Sequence, residues 1–302
     1  MKSFKGRTAV ITGAASGFGL EASRIAAREG MNVVMADVMP GPLAQAAAEV
    51  EGLGAAVLPF QLDVSDAGRV QALADATMAR FGAPGFVFNN AGIGVGGLIW
   101  EHSVKDWEWI VGVNLMGVAH GVRVFTPLML AAAQADPGYR GHIVNTASMA
   151  GLVNMPNQGA YNVTKHAVVS ISETLYQDLA LVSDQVHAHV LCPYFVPTGI
   201  AHSDRARPEA MRGQASLTAS QRVAQLMSEK AVSSGKVSAA EVAQFVFDAM
   251  AANRFYIFSH PNERALAPVG MRGDDIVAMR NPTDPFAQRP ELGQQLRAAL
   301  RG

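Results

Sequence analysis

Ser148, Tyr161 and Lys165 stand in the stretch SMAGLVNMPNQGAYNVTKHA, with small and apolar residues between them. On a helix, Tyr161 and Lys165 share one face about one turn apart. An ammonium held near a phenol favours the phenolate, so such a pair can lower a tyrosine pKa from its usual value of about 10. That would suit a general acid/base. The same spacing also fits an ordinary surface helix, so the surrounding elements have to decide.

Those elements alternate. RTAVITG is a short β-branched run ending in glycine and reads as a buried strand; GFGLEASRIAAREG follows as a helix with Gly30 as its stop. NVVMAD is a second strand, GPLAQAAAEVEGLG a helix and AAVLPFQLDV a third strand. A helix near Ala67–Phe81, the strand GFVFNN, a long helix around Val104–Ala133 and the strand GHIVNTAS come next. A helix through Tyr161–Leu181 and the strand VHAHVLCPY complete the series. Apolar runs without strict alternation are strands covered on both faces. The expectation is an α/β fold, a Rossmann-type doubly wound parallel sheet of about seven strands with helices on both faces.

Beyond Thr198 the chain turns polar, with two short helices expected within 199–235, where such a sheet would carry a lid over its ligand crevice. SAAEVAQFVFDAMAANRFYIFSH adds a helix and a strand. We therefore expect one catalytic domain over 1–260 and a C-terminal extension over 261–302. In that extension Leu292, Leu296, Ala299 and Leu300 make a narrow helical stripe that should pack on the domain or on a neighbouring subunit.

Composition bounds the partners. Lys and Arg number 24 against 25 Asp and Glu, so there is no electrostatic footprint for nucleic acid or an anionic membrane. A single cysteine, Cys192, excludes an intrachain disulfide and suits a reducing compartment. No signal peptide is expected in MKSFKGRTAVITGAASG, and no apolar run is expected to reach the length of a membrane span. A cytoplasmic protein is the default. His187 and His189 alternate along a strand without a third ligand at useful spacing, so they read as structural and no metal is expected.

The first strand runs into TGAASGFG, which sets Gly13, Gly17 and Gly19 on a strand-to-helix turn. Glycine there permits a tight turn, close approach to a pyrophosphate and close helix packing, and the helix N-terminus favours phosphate. Asp37 ends the second strand, where a carboxylate accepts from ribose hydroxyls and repels a 2′-phosphate. Val38, Met39 and Pro40 follow it and Ser16 sits in the loop, so no cation offsets that repulsion. NAD is favoured over NADP.

With LDV at 62–64, NNAG at 89–92, NLMG at 114–117, Ser148 and YNVTK at 161–165, the sequence resembles the short-chain dehydrogenase/reductase family over about residues 5–258. The resemblance implies Asn114, Ser148, Tyr161 and Lys165 as the catalytic set. Tyr161 would exchange the substrate proton and Ser148 would hydrogen-bond the reacting oxygen. Lys165 would hold the nicotinamide ribose and lower the Tyr161 pKa, and Asn114 would hold a water linking Lys165 to solvent. It also implies cofactor contacts from Gly13, Ser16, Gly17, Phe18, Gly19, Asp37, Asp63, Val64, Asn90, Gly92, Tyr161, Lys165, Pro193, Val196 and Thr198.

The chain departs from the family at PYFVPT, where Tyr194 replaces the usual glycine, and in lacking the family's glycine-rich ending. Met149, Leu152, Val153, Met155, Tyr194 and Phe195 flank the catalytic positions and point to an apolar, bulky alcohol or ketone. The helix WEWIVGVNLMGVAHGVRVFTPLM and the tail are similar to a subset that includes bacterial dehydrogenases of lignin-derived aryl alcohols; steroid and alicyclic alcohols stay open. The family implies a homodimer or homotetramer. Two other functions fit less well. Asp37 argues against an NADPH-dependent ketone reductase, and the presence of both Tyr161 and Lys165 argues against a catalytically silent NAD-binding regulator.

Overall fold

The computed structural model describes residues 4–212 and 216–301. Residues 1–3, 213–215 and 302 lie outside the described residues, and with them parts of the expected domain 1–260, the 199–235 segment and the 261–302 extension. The first half comprises β1 Thr8–Thr12, α1 Gly17–Arg28, β2 Asn32–Asp37, α2 Pro40–Gly52, β3 Val57–Gln61, α3 Ala67–Phe81 and β4 Phe86–Asn89. Then α4 Val104–Ile110, a π-helical turn Val111–Met116 and α5 Gly117–Ala135 lead to β5 Gly141–Thr146, α6 Gly159–Val182 and β6 Val186–Cys192. The remainder is α7 Ala219–Ser233, α8 Ala239–Ala251, β7 Tyr256–Phe258, α9 Glu263–Val277 and α10 Pro290–Arg301.

All seven strands are parallel, in the order β3-β2-β1-β4-β5-β6-β7. The chain starts at the middle, winds to one edge, returns, and winds to the other. The reversal lies between β1 and β4, and a crevice opens outside their carboxyl ends. β1 and β4 are buried along their whole length because helices cover both faces. Burial this close leaves little room at one crossing. A Cβ on Gly121 of α5 would lie 2.7 Å from Asn89 Cγ. Asn89 donates to Asn145 Oδ1 (2.8 Å) and Asn145 to Ser172 Oγ (3.0 Å), so the buried amides beneath α5 are satisfied.

Four expectations need correction. The long helix near Val104–Ala133 is interrupted by the π-helical turn, whose extra residue carries Asn114 into the interior. That helical run, Val104–Ala135, is also long and apolar enough to cross a membrane. One face of α5 packs on α3, β4 and β5, and 39% of that apolar stretch is buried in the fold. Within 199–235 there are short 3₁₀ turns at Gly199–Ala206 and Glu209–Met211, but α7 is a full 15-residue helix with a Thr218–Gln221 capping box. Finally, α9 forms where no helix was expected, capped by Asn262 and tolerating Pro268 early in its length.

On the α8 side of the sheet, β5 and β6 carry a histidine ladder. His189 Nδ1 lies 2.8 Å from the Arg254 carbonyl, so it is the N–H donor. His189 Nε2 is then the acceptor from His142 Nδ1 at 2.9 Å, with the His187 ring beside His142. Burial lowers His142 to about 2 and His189 to about 4. Above pH 6.5 both are neutral folded or unfolded. Below it the unfolded chain takes up protons that the folded chain refuses, so stability falls as pH drops from 6.5 towards 4. Each tenfold difference in proton affinity between the two states is worth roughly 1.4 kcal/mol, and the expected loss is a few kcal/mol. Thermal melts from pH 7 to 4.5 should show it, more weakly in His189→Gln; a flat profile would remove the ladder as the acid-sensitive element.

Candidate active site

A cavity of about 650 Å³ runs along the carboxyl ends of the strands. At one end β1 passes into the glycine loop, where Gly13 (φ +65°) and Gly17 (φ +55°) take left-handed conformations that favour glycine. Ser16 occupies the N-cap of α1 but does not turn its hydroxyl back onto the helix. The first-turn N–H groups are left without that side-chain partner at the cleft wall, beside Ser16, Gly17 and Phe18. Gly19 is behind the wall. The Asp37 carboxylate accepts from Ala15 N and from Met39 N, both at 3.0 Å. Asp37 therefore lines the cleft and also pins the glycine loop, a second role that the sequence pattern did not suggest.

Asn90 knits three strand ends together. Its amide donates to Thr12 O (3.0 Å), its backbone N–H donates to Thr12 Oγ1 (2.9 Å), and its Oδ1 accepts from Thr146 (3.3 Å). Asp63, Val64, Asn90, Gly92, Pro193, Val196 and Thr198 all line the cavity. The uncapped helix end, the glycine-only turns and the carboxylate at the tip of β2 fit a dinucleotide laid across the sheet edge.

The other half holds the proton-transfer groups. β5 ends just before Ser148, and α6 starts at Gly159, bringing Tyr161 and Lys165 to the same edge. The Lys165 side chain is buried; its Nζ donates to the Thr146 carbonyl (2.8 Å) and lies 5.7 Å from the Tyr161 ring centre. Burial lowers Lys165 to about 8. Burial also pushes the Tyr161 phenol upward, and a hydrogen bond with Ser148 acts against it. Ser148 is thus the group that opposes burial at Tyr161, while the Lys165 ammonium is directed at the Thr146 carbonyl. Ser148 Oγ accepts from Ala150 N (3.1 Å), and its single proton can turn either to Pro193 O (3.4 Å) or to the Tyr161 oxygen.

Asn114 is not on the cavity wall. Its Oδ1 accepts from Ile93 N (2.8 Å) and its Nδ2 donates to Ile93 O (2.9 Å) and Thr164 Oγ1 (3.3 Å). The side chain is thus committed to bracing the loop at 91–94 that follows β4. It still flanks Lys165, since a Cβ on Gly92 would lie 3.4 Å from Asn114 Oδ1 and 3.5 Å from Lys165 Nζ.

At the substrate end Met149, Val153, Met155, Tyr194 and Phe195 line the cavity, while Leu152 packs behind it. Tyr194 and Phe195 meet edge to face (4.8 Å), and the His260 ring backs Tyr194 (5.7 Å). Sequence reasoning missed Trp109 and an ion pair that joins α4 to the 199–212 segment. Arg207 Nη2 lies 2.5 Å from Asp106 Oδ1, and its guanidinium stacks 4.7 Å above the Trp109 ring. Both partners of the pair are largely buried. They are 101 residues apart, so no local pattern could have announced them.

Known proteins share this architecture. The family model described as short chain dehydrogenase matches residues 7–209. The CLA biosynthesis dehydrogenase/reductase of Lactiplantibacillus plantarum is 34% identical over 275 residues, covering 88% of this chain and 92% of that protein. The C alpha-dehydrogenase of a Sphingobium species is 35% identical over 209 residues, 69% of this chain and 66% of that one. A crystal structure of a short chain dehydrogenase/reductase from Burkholderia phymatum, in complex with NAD, superposes with a TM-score of 0.90 at 50% identity, covering 95% of this chain and all of that one.

Proposed function

The chain belongs to the short-chain dehydrogenases, and from that premise we propose that it is an NAD-dependent oxidoreductase acting on a secondary alcohol or its ketone. The observation that carries this reading is one cleft lined by Ser148, Tyr161, Lys165, the glycine loop and Asp37. NAD, when bound, supplies the hydride acceptor. Tyr161 Oη, as phenolate, takes the hydroxyl proton in oxidation, and as phenol it returns a proton to the carbonyl oxygen in reduction. Ser148 Oγ donates to the reacting oxygen as charge develops. Lys165 holds the nicotinamide ribose, and Asn114 keeps the Ile93 backbone and Gly92 in register beside it. Screening a panel of secondary alcohols with NAD, read by NADH absorbance, tests the reading. Tight NAD binding with no turnover on any alcohol would favour the silent regulator instead.

Cofactor choice rests on Asp37, with the NAD-bound relative in support. Asp37→Ala with Val38→Arg should move preference towards NADP, by removing a repulsive carboxylate and adding a phosphate partner. Some general loss of affinity is also expected, because the Ala15 N–H loses its acceptor. A wild type that already prefers NADP would overturn this assignment and favour the ketone reductase.

The lining of Met149, Val153, Met155, Trp109, Tyr194 and Phe195 supports an apolar, bulky substrate of aryl, alicyclic or steroid-like type. The segment 199–235 serves as its lid. The 261–302 extension braces that lid through α10, which packs on α7 with Leu296 buried, while Leu266 and Val269 of α9 pack on the apolar cluster that contains Met149. Ending the chain after His260 should lower the melting temperature and raise the substrate KM without changing cofactor choice. Unchanged melting temperature and KM would make the extension an appendage. Exposed Val163 and Tyr176 on α6 support a homo-oligomer built on that helix, and mass in solution tests it.

A further inference from the structure

The phosphate end of the cleft is short of positive charge. The loop Gly13–Gly19 carries no Lys or Arg, and a pyrophosphate brings two negative charges to it. The end of α1 offers only about half a unit charge in compensation. Among the described residues lining the cavity, the cationic side chains are Lys165, Arg205 and Arg207. Lys165 is buried and tied to the Thr146 carbonyl, and Arg207 is neutralised by Asp106. Arg205 forms no ion pair among the described residues, although carboxylates line the same cleft.

Its position is specific. The Arg205 guanidinium lies against the backbone of Gly199, where a Cβ would come within 2.8 Å of Nη1 and 2.9 Å of Cζ. Any side chain at 199 would displace it. Gly199 follows Thr198, whose Cγ2 is 3.5 Å from where a Cβ on Gly17 would project. Gly17, Thr198, Gly199 and Arg205 are thus neighbours along one wall, at the mouth of the glycine loop.

We propose that Arg205 is a cofactor-binding residue, a counter-ion carried by the lid for the pyrophosphate of the dinucleotide. This deepens the dehydrogenase reading and rests on it. Within one short stretch the lid has two attachments: Arg207 fastens it to α4 through Asp106, and Arg205 fastens it to the bound dinucleotide. A guanidinium suits the second task because its planar fork matches phosphate oxygens and stays charged at any working pH. The lid then closes over a loaded site in preference to an empty one, so cofactor binding precedes substrate enclosure.

The test is binding, without turnover. NAD, ADP-ribose and adenosine are titrated into wild type, Arg205→Gln and Arg205→Lys by calorimetry, with NMR for the weak adenosine complex. Arg205→Gln should weaken NAD and ADP-ribose by about tenfold or more, as expected for one charge-assisted contact. Adenosine, which lacks phosphate, should bind all three proteins alike, and Arg205→Lys should recover part of the loss. Raising the salt concentration should weaken NAD binding more in the wild type than in Arg205→Gln. Equal affinities of wild type and Arg205→Gln for ADP-ribose would overturn the proposal and leave the dehydrogenase reading standing. An equal loss for adenosine would overturn it too, by revealing general damage to the lid. A wild type that binds no dinucleotide would overturn both readings.

Discussion

Tyr161→Phe should bind NAD as the wild type does and lose turnover by about 10²–10⁴-fold, the usual worth of a positioned acid/base. The substitution removes one hydroxyl and keeps the ring, so the packing with Ile93, Trp109 and Ala160 survives. The pH dependence is part of the same expectation. Burial holds the phenol protonated, and Ser148 supplies the opposing hydrogen bond. Oxidation needs the phenolate, so its rate should rise with pH as Tyr161 gives up its proton; reduction needs the phenol and should fall over the same range. Ser148→Ala should move that rise to higher pH. Steady-state rates across pH, with NAD affinity measured beside them, check all of this. More than about a tenth of wild-type kcat in Tyr161→Phe would be incompatible with the assigned role, given the worth of such catalysis.

What could be read from the sequence depended on how local the determining interactions are. The sheet was legible because each strand is a run of apolar residues bounded by glycine or polar residues, and each crossover is a helix. The glycine loop and the Tyr161–Lys165 pair were legible because a few neighbouring residues define them. Asn114 was visible as a motif residue, but its side-chain partners were not: Ile93 and Thr164 are 21 and 50 residues away. The same holds for Arg207, whose partner lies 101 residues off, and for Arg205, which is notable only against the charges of the whole cleft. α9 escaped because Pro268, Gly270 and Gly273 signal a break. Its Asn262 cap and its packing through Leu266 and Val269 outweigh that local preference.

Gly19→Ala tests how tightly the cofactor half depends on backbone contact. Gly13 and Gly17 are glycines for their left-handed φ, but Gly19 has ordinary helical geometry and is a glycine for lack of space. A Cβ there would stand 2.8 Å from the carbonyl carbon of Gly13, nearer still to its oxygen, and 2.9 Å from Asn90 Nδ2. None of these atoms is the far end of a flexible chain. The Gly13 carbonyl belongs to the turn, and Asn90 is held by Thr12 and Thr146 across β1 and β5. One methyl group must therefore push α1 away from β1, at a cost of about 1–3 kcal/mol for an overpacked site. The larger effect falls on the ligand. Moving α1 shifts the N–H groups of its first turn away from the phosphates; losing two charge-assisted contacts raises the dinucleotide Kd on the order of 100-fold. Thermal melts and ADP-ribose titration measure the two effects separately. A variant that melts and binds as the wild type does would mean the turn has slack that the packing of Gly13, Gly19 and Asn90 does not allow.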